Sequence, residues 1–145
     1  MNNKLKNQKR MLEIYTDGAS RGNPGPAAFA FIFKDKKGNE FYNGSGYLGE
    51  TTNNSAEYTA ILNALRAAEK FTSGQIKLFS DSQLVVRQLN KEYRVNKSHL
   101  LEFREKIYDQ SQNFKKVEFF HVNRSHPMIQ KCDALCNKRL DDLSI

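Results

Sequence analysis

The order in which hydrophobic periodicity changes along the chain is its strongest constraint. Leu12–Thr16 is a short strand-like run leading to Asp17 and a loop with Gly22, Asn23, Pro24, Gly25 and Pro26. In such a loop proline restricts φ and glycine admits positive φ, which a tight reversal requires. Ala27–Phe33 is apolar on both faces, as a central strand is, and residues 35–39 form a hairpin turn into Glu40–Leu48. From Ser55 to Phe71 the period lengthens: Tyr58, Ile61, Leu62, Leu65 and Ala68 follow helical spacing, with Asn54 as N-cap. Gln75–Ser80 returns to a strand. Leu84, Val85 and Leu89 then mark a short helix, Leu100–Phe114 a longer one, and Lys116–Val122 a last strand. His126 and Pro127 open a final helix with the apolar stripe Met128, Ile129, Cys132, Leu135, Cys136, Leu140 and Leu143. Three strands followed by helices alternating with strands predict an α/β fold, a mixed sheet flanked by helices.

The 145 residues suit one domain, able to bury about two-thirds of its unfolded surface without a disulfide or metal staple. A chain that is 39% hydrophobic and 27% charged is globular rather than disordered. No apolar run approaches the roughly 20 residues of a membrane span, and the N-terminus has no apolar signal core. Membrane spanning and standard secretion are therefore not expected. Cys132 and Cys136, four apart on a helix, match neither a four-ligand zinc site nor a disulfide framework. Reduced thiols and a cytoplasmic location are expected. The net charge is +7, and Lys4, Lys6, Lys9 and Arg10 supply four of those charges with no acid among residues 1–10. The expected division is a flexible basic tail over 1–10 and one domain over 11–145. A basic balance points to nucleic acid or another anionic surface.

Four acids carry the chemistry. Asp17 and Asp81 each follow an apolar strand, and parallel neighbouring strands would set both at the carboxyl edge of the sheet, where α/β folds build sites. Singly, each has an ordinary explanation: an aspartate leaving a strand is a turn former, and Asp81 could cap the next helix. Glu57 could close a capping box with Asn54. On a helical wheel, however, Glu57 and Asp133 both border core-facing apolar stripes, where an unpaired carboxylate typically costs several kcal/mol. Four converging carboxylates would raise one another's pKa values, a conflict that cations remove. Hard oxygen ligands favour Mg²⁺ or Mn²⁺, and four carboxylates balance two divalent ions. Two such ions about 4 Å apart are the arrangement for in-line phosphodiester attack.

Tyr-Thr-Asp-Gly-Ala-Ser-x-Gly-Asn-Pro-Gly (15–25), Thr-Asn-Asn-x-Ala-Glu (52–57), Ser-Asp-Ser-Gln (80–83) and His-Pro-x-x-x-x-Cys-Asp (126–133) occur in order. Together they resemble type 1 ribonuclease H over about residues 11–143. The resemblance implies a five-stranded mixed sheet, a three-stranded antiparallel meander plus two parallel strands, flanked by helices. It implies an endonuclease that cuts the RNA strand of RNA–DNA hybrids with two Mg²⁺ or Mn²⁺, leaving 5′-phosphate and 3′-hydroxyl ends. By resemblance, Asp17, Glu57, Asp81 and Asp133 are the metal-binding catalytic carboxylates. Asn23, Asn54 and Gln83 would reach the minor groove, backbone at Gly18, Ala19 and Ser20 would touch 2′-hydroxyls, and Thr52 and Asn53 would hold the DNA strand. Reading 2′-hydroxyls and shape is how a protein distinguishes RNA from DNA. A monomer with no obligate protein partner is expected.

Two departures from the family pattern matter. Long bacterial forms carry a basic, Trp-containing protrusion after the helix that follows Asp81, whereas only about Asn90–Ser98 fills that interval here and the chain has no Trp. Many family members place a catalytic His before the last acid, where short forms can use Arg. The loop here is two residues short, so by resemblance Arg124 would take the proton-shuttle or product-release position and His126 would be a helix-entry residue. A 3′–5′ exonuclease of this general fold would need Asp-x-Glu on the first strand, and Asp17-Gly18-Ala19 lacks the glutamate. A silent hybrid-binding module would have no need of all four acids.

Overall fold

The computed structural model describes residues 10–143. Within them five strands form one sheet: β1 (Leu12–Ser20), β2 (Gly25–Asp35), β3 (Glu40–Thr51), β4 (Gln75–Ser80) and β5 (Lys116–His121). Among the described residues four helices complete the fold: α1 (Asn53–Ala68), α2 (Gln83–Leu89), α3 (Ser98–Ser111) and α4 (Pro127–Asp142). The sheet order is β3-β2-β1-β4-β5. The β1–β2 and β2–β3 pairs are antiparallel, and β1–β4 and β4–β5 are parallel, as expected. Only residues 90–97 join α2 to α3, so the long protrusion is absent.

Alternation along the strands divides the core in two. Leu12, Ile14, Phe31, Phe33, Ile76 and Leu78 face α1 and α3, where they meet Tyr58, Ile61, Leu65 and Ile107. Tyr15, Ala28, Ala30 and Ile32 face α4 and its stripe of Met128, Ile129, Cys132, Cys136 and Leu140. The expected stripe is one residue too long: Leu143 lies past the helix end and is 54% exposed. Both cysteines are buried free thiols. The Cys132 thiol donates to the Tyr15 carbonyl at 3.4 Å, so α4 is tied to the strand that carries Asp17.

Two local expectations change. β1 does not stop at Thr16; antiparallel pairing with β2 carries it on to Ser20, opposite Ala27. Pairing with β4 does end there, at Thr16 opposite Ser80. Asp17 therefore stands inside a strand, at the point where its parallel neighbour runs out. The N-cap of α1 is Thr52, not Asn54: the Thr52 hydroxyl accepts from the Ser55 amide at 3.2 Å, and the helix begins at Asn53. Likewise α2 is capped by Ser82 rather than Asp81, leaving that carboxylate for other work. His126 caps α4 as expected, with Pro127 at the start of the helix. Residues 1–9 of the basic tail lie outside the described residues. Arg10 is inside them: its guanidinium lies 4.0 Å from the Phe41 ring centroid, and its carbonyl accepts from the Thr72 hydroxyl.

Candidate active site

Asp17 and Asp81 reach the same sheet edge because β1 and β4 are parallel and in register up to Thr16 and Ser80. Glu57 arrives from the first turns of α1, and a missing side chain permits its approach. A Cβ at Gly18 would lie 2.3 Å from the Ala56 carbonyl carbon and 2.5 Å from the Glu57 nitrogen. Glycine alone lets the helix backbone press against the strand. The Gly18 amide then donates to Glu57 Oε1 at 2.9 Å, which fixes the carboxylate. The capping-box alternative for Glu57 is overturned by this contact, since its side chain turns to β1 and not to its own N-cap.

Asp17, Glu57 and Asp81 each offer an oxygen within 4.8 Å of the others. Asp17 is 5% and Glu57 9% exposed. Burial, then the charges of Asp81 and Asp133, pushes the Asp17 pKa up to about 8. Burial, then Asp17 and Asp81, holds the Glu57 carboxyl well above the usual range. Asp81 Oδ1 is buried with no hydrogen-bond partner, a costly state for a carboxylate oxygen. Three crowded, desolvated carboxylates with an unpartnered oxygen fit a hard divalent cation, which supplies the missing partner and removes the repulsion.

Asp133 differs. It is exposed, at the rim of the triad, within hydrogen-bonding reach of Asp17, and it accepts from Asn137 Nδ2 at 3.1 Å. The partial desolvation expected for it is absent because α4 turns that face outward at the sheet edge. Arg124 Nε lies 3.7 Å from Asp81 Oδ2, with its side chain 92% exposed.

These groups line a cleft of about 550 Å³ together with Gly18, Ala19, Asn53, Asn54, Ser82, Ile129 and Gln130. Ser20, Asn23, Thr52 and Gln83 lie outside that lining. Asn53 Oδ1 accepts from the Ser20 amide and hydroxyl at 3.0 and 2.8 Å, and the Asn53 amide donates to Asn23 Oδ1. Asn23, Asn53 and Ser20 are thus one linked cluster beside the cleft. Thr52 is engaged by Ser55, and Gln83 is exposed on the first turn of α2. Of the lining residues, Ser82, Ile129 and Gln130 were not among the expected site residues; the signal available was the place of Ser82 next to Asp81, and of Ile129 and Gln130 on the first α4 turn, four and three residues before Asp133.

A family model described as reverse transcriptase-like matches residues 15–138. The chain is 40% identical over 131 residues to ribonuclease HI of Halobacterium salinarum, spanning 90% of this chain and 65% of that protein. It is 30% identical over 145 residues to ribonuclease H of Dechloromonas aromatica, spanning 91% of this chain and 95% of that one. Among solved structures, RNase H1 of Halobacterium salinarum matches with a TM-score of 0.87 at 39% identity, covering 91% of this chain and 98% of that chain. LC11-RNase H1, solved in complex with an RNA/DNA hybrid, matches with a TM-score of 0.84 at 36% identity, covering 90% and 97%. With the five-stranded sheet, the absent protrusion and the acidic cleft in place, these matches make the chain a member of the type 1 ribonuclease H family.

Proposed function

We propose that this chain hydrolyses the RNA strand of RNA–DNA hybrids, leaving 5′-phosphate and 3′-hydroxyl ends. The observation that carries the reading is the buried triad of Asp17, Glu57 and Asp81 with its unpartnered oxygen, opening into a cleft. The relative solved with an RNA/DNA hybrid supports the substrate class. In the reaction, a water oxygen forms the new bond to phosphorus and gives up a proton, while the bond from phosphorus to the 3′ oxygen breaks and that oxygen leaves with the bonding pair and takes up a proton. Asp17, Glu57, Asp81 and Asp133 would hold Mg²⁺, or Mn²⁺ in its place, and the bound metal would supply water activation and stabilisation of the developing charge.

This chain's own residues orient and exclude. The Gly18 amide holds Glu57, and burial of Asp17 and Glu57 keeps solvent from the ligand oxygens. Of the two parts open to Arg124, drawing the phosphate product outward suits a guanidinium, a fork of hydrogen-bond donors with no acceptor, better than shuttling a proton. Its exposure beside Asp81 places it at the cleft mouth. Asn54 serves the minor groove from the α1 wall, with Gln83 and the Asn23–Asn53–Ser20 cluster flanking it and Thr52 beside them. The enzyme acts as a cytoplasmic monomer; among the described residues no helix is long and apolar enough to cross a membrane.

The test is one labelled RNA presented as single strand, as RNA duplex and as hybrid, with and without Mg²⁺ or Mn²⁺. Cleavage confined to the hybrid with metal is expected. Asp81→Asn should bind hybrid and lose cleavage by about 10³-fold or more, since several kcal/mol of transition-state stabilisation goes with the ligand. Equal cutting of all three forms, or full activity in Asp81→Asn, would overturn the reading.

A further inference from the structure

The cleft has two walls with unequal work assigned to them. On the α1 wall, Asn53 and Asn54 offer side-chain amides, while the floor is carboxylate. Acceptors abound there, but a nucleic-acid backbone presents acceptors of its own, and each phosphate oxygen needs a donor. On the wall made by α4 and the loop before it, the polar groups are Arg124, which already lies beside Asp81, together with Asp133 and Gln130. Gln130 is exposed to the cleft, and no hydrogen bond or ion pair engages its side chain among the described residues. Asp133 lies three residues on, so both project from one face of α4, with Cβ atoms about 5–6 Å apart. Gln130 is thus a free amide donor one helical step from the rim acid.

We propose that the Gln130 side-chain amide binds the RNA strand, donating to a non-bridging oxygen of the phosphate that neighbours the scissile one. The inference rests on the hybrid-cleaving function proposed above. An amide suits the position better than either charge. A carboxylate would add a fifth negative group to a cluster that already repels itself, and a cation would pair with Asp133 or Asp81 and be withdrawn from substrate. A neutral donor reaches a charged oxygen without either conflict, and the bond is charge-assisted. The buried Ile129 beneath it and the capped, proline-led start of α4 keep that turn from moving.

The experiment measures hybrid affinity in Asp81→Asn protein, with and without Gln130→Met, using hybrids that carry one methylphosphonate walked along the RNA strand. Methionine keeps the length of glutamine, forms helix well and cannot donate. Gln130→Ala is the second variant, and unchanged thermal unfolding of either keeps the readout on binding. Loss of the donor should weaken binding of the unmodified hybrid about tenfold. At one linkage only, the methylphosphonate should weaken Gln130 protein by a similar factor and leave both variants unaffected. Unchanged affinity in both variants, or equal sensitivity of variants and parent at every linkage, overturns the proposal. If the coupling is present but wild-type protein cuts no hybrid, the catalytic reading fails and the Gln130 contact stands.

Discussion

Replacing Gly18 by alanine adds one methyl group at the tightest contact of the site. The new Cβ would lie 2.3 Å from the Ala56 carbonyl carbon, 2.4 Å from its oxygen and 2.5 Å from the Glu57 nitrogen. Non-bonded carbons settle at about 3.5–4.0 Å, so α1 must withdraw from β1 by about 1 Å or more. All three contacts are backbone, and no flexible side chain can yield instead. Gly18 is not among the positive-φ glycines, so the penalty is steric rather than conformational. Overpacking of this kind costs about 1–3 kcal/mol, and stretching the Gly18–Glu57 hydrogen bond adds about 1.5–3. Together that is about 2.5–6 kcal/mol, or about 8–20 °C in Tm for a domain of this size. A 1 Å displacement of Glu57 should also reduce cleavage by about 100-fold. Thermal unfolding by circular dichroism and single-turnover hybrid cleavage read the two effects. A Gly18→Ala protein melting within 2 °C of wild type and cutting at a similar rate would show that the α1–β1 contact does not position the site.

Stability of the metal-free protein should fall as pH rises. Asp17 binds its proton more tightly folded, near pH 8, than unfolded, near the ordinary carboxyl value, so its contribution is complete below about pH 4 and lost through about pH 8. Calorimetry with a chelator should show a declining Tm from pH 5 to 8 that Asp17→Asn flattens and Mg²⁺ restores; a level Tm refutes it. The Cys132 and Cys136 thiols have pKa values raised first by burial and then by nearby carboxylates, so neither should react with a thiol reagent at pH 8 until the protein unfolds. Rapid labelling of native protein would contradict their placement. Deleting residues 1–9 removes Lys4, Lys6 and Lys9 while sparing Arg10 on Phe41. If the tail grips substrate, the slope of log K for hybrid against log salt should become shallower by about 3, at roughly 0.9 per phosphate contact; an unaltered slope assigns it no part in binding.

Legibility differed between elements for physical reasons. β4 was readable to the residue, Gln75–Ser80, because its ends coincide with changes of periodicity. The end of β1 was not, because Asp17 and Gly18 look like turn formers until β2 is seen to pair with them. Choosing Thr52 over Asn54 as the cap was likewise beyond local preference: both side chains cap helices well, and tertiary contacts holding Asn53 to Ser20 decide where α1 begins.

By itself the sequence determined the element order, the apolar faces and the four acids, since these follow from side-chain type and spacing. Tertiary structure decided the rest. Parallel register brought Asp17 level with Asp81, and a glycine-sized gap admitted Glu57. The outward face of α4 left Asp133 at the rim and set Gln130 beside it in the cleft. Convergence, desolvation and steric contact are relations between distant segments, and no local pattern of residues contains them.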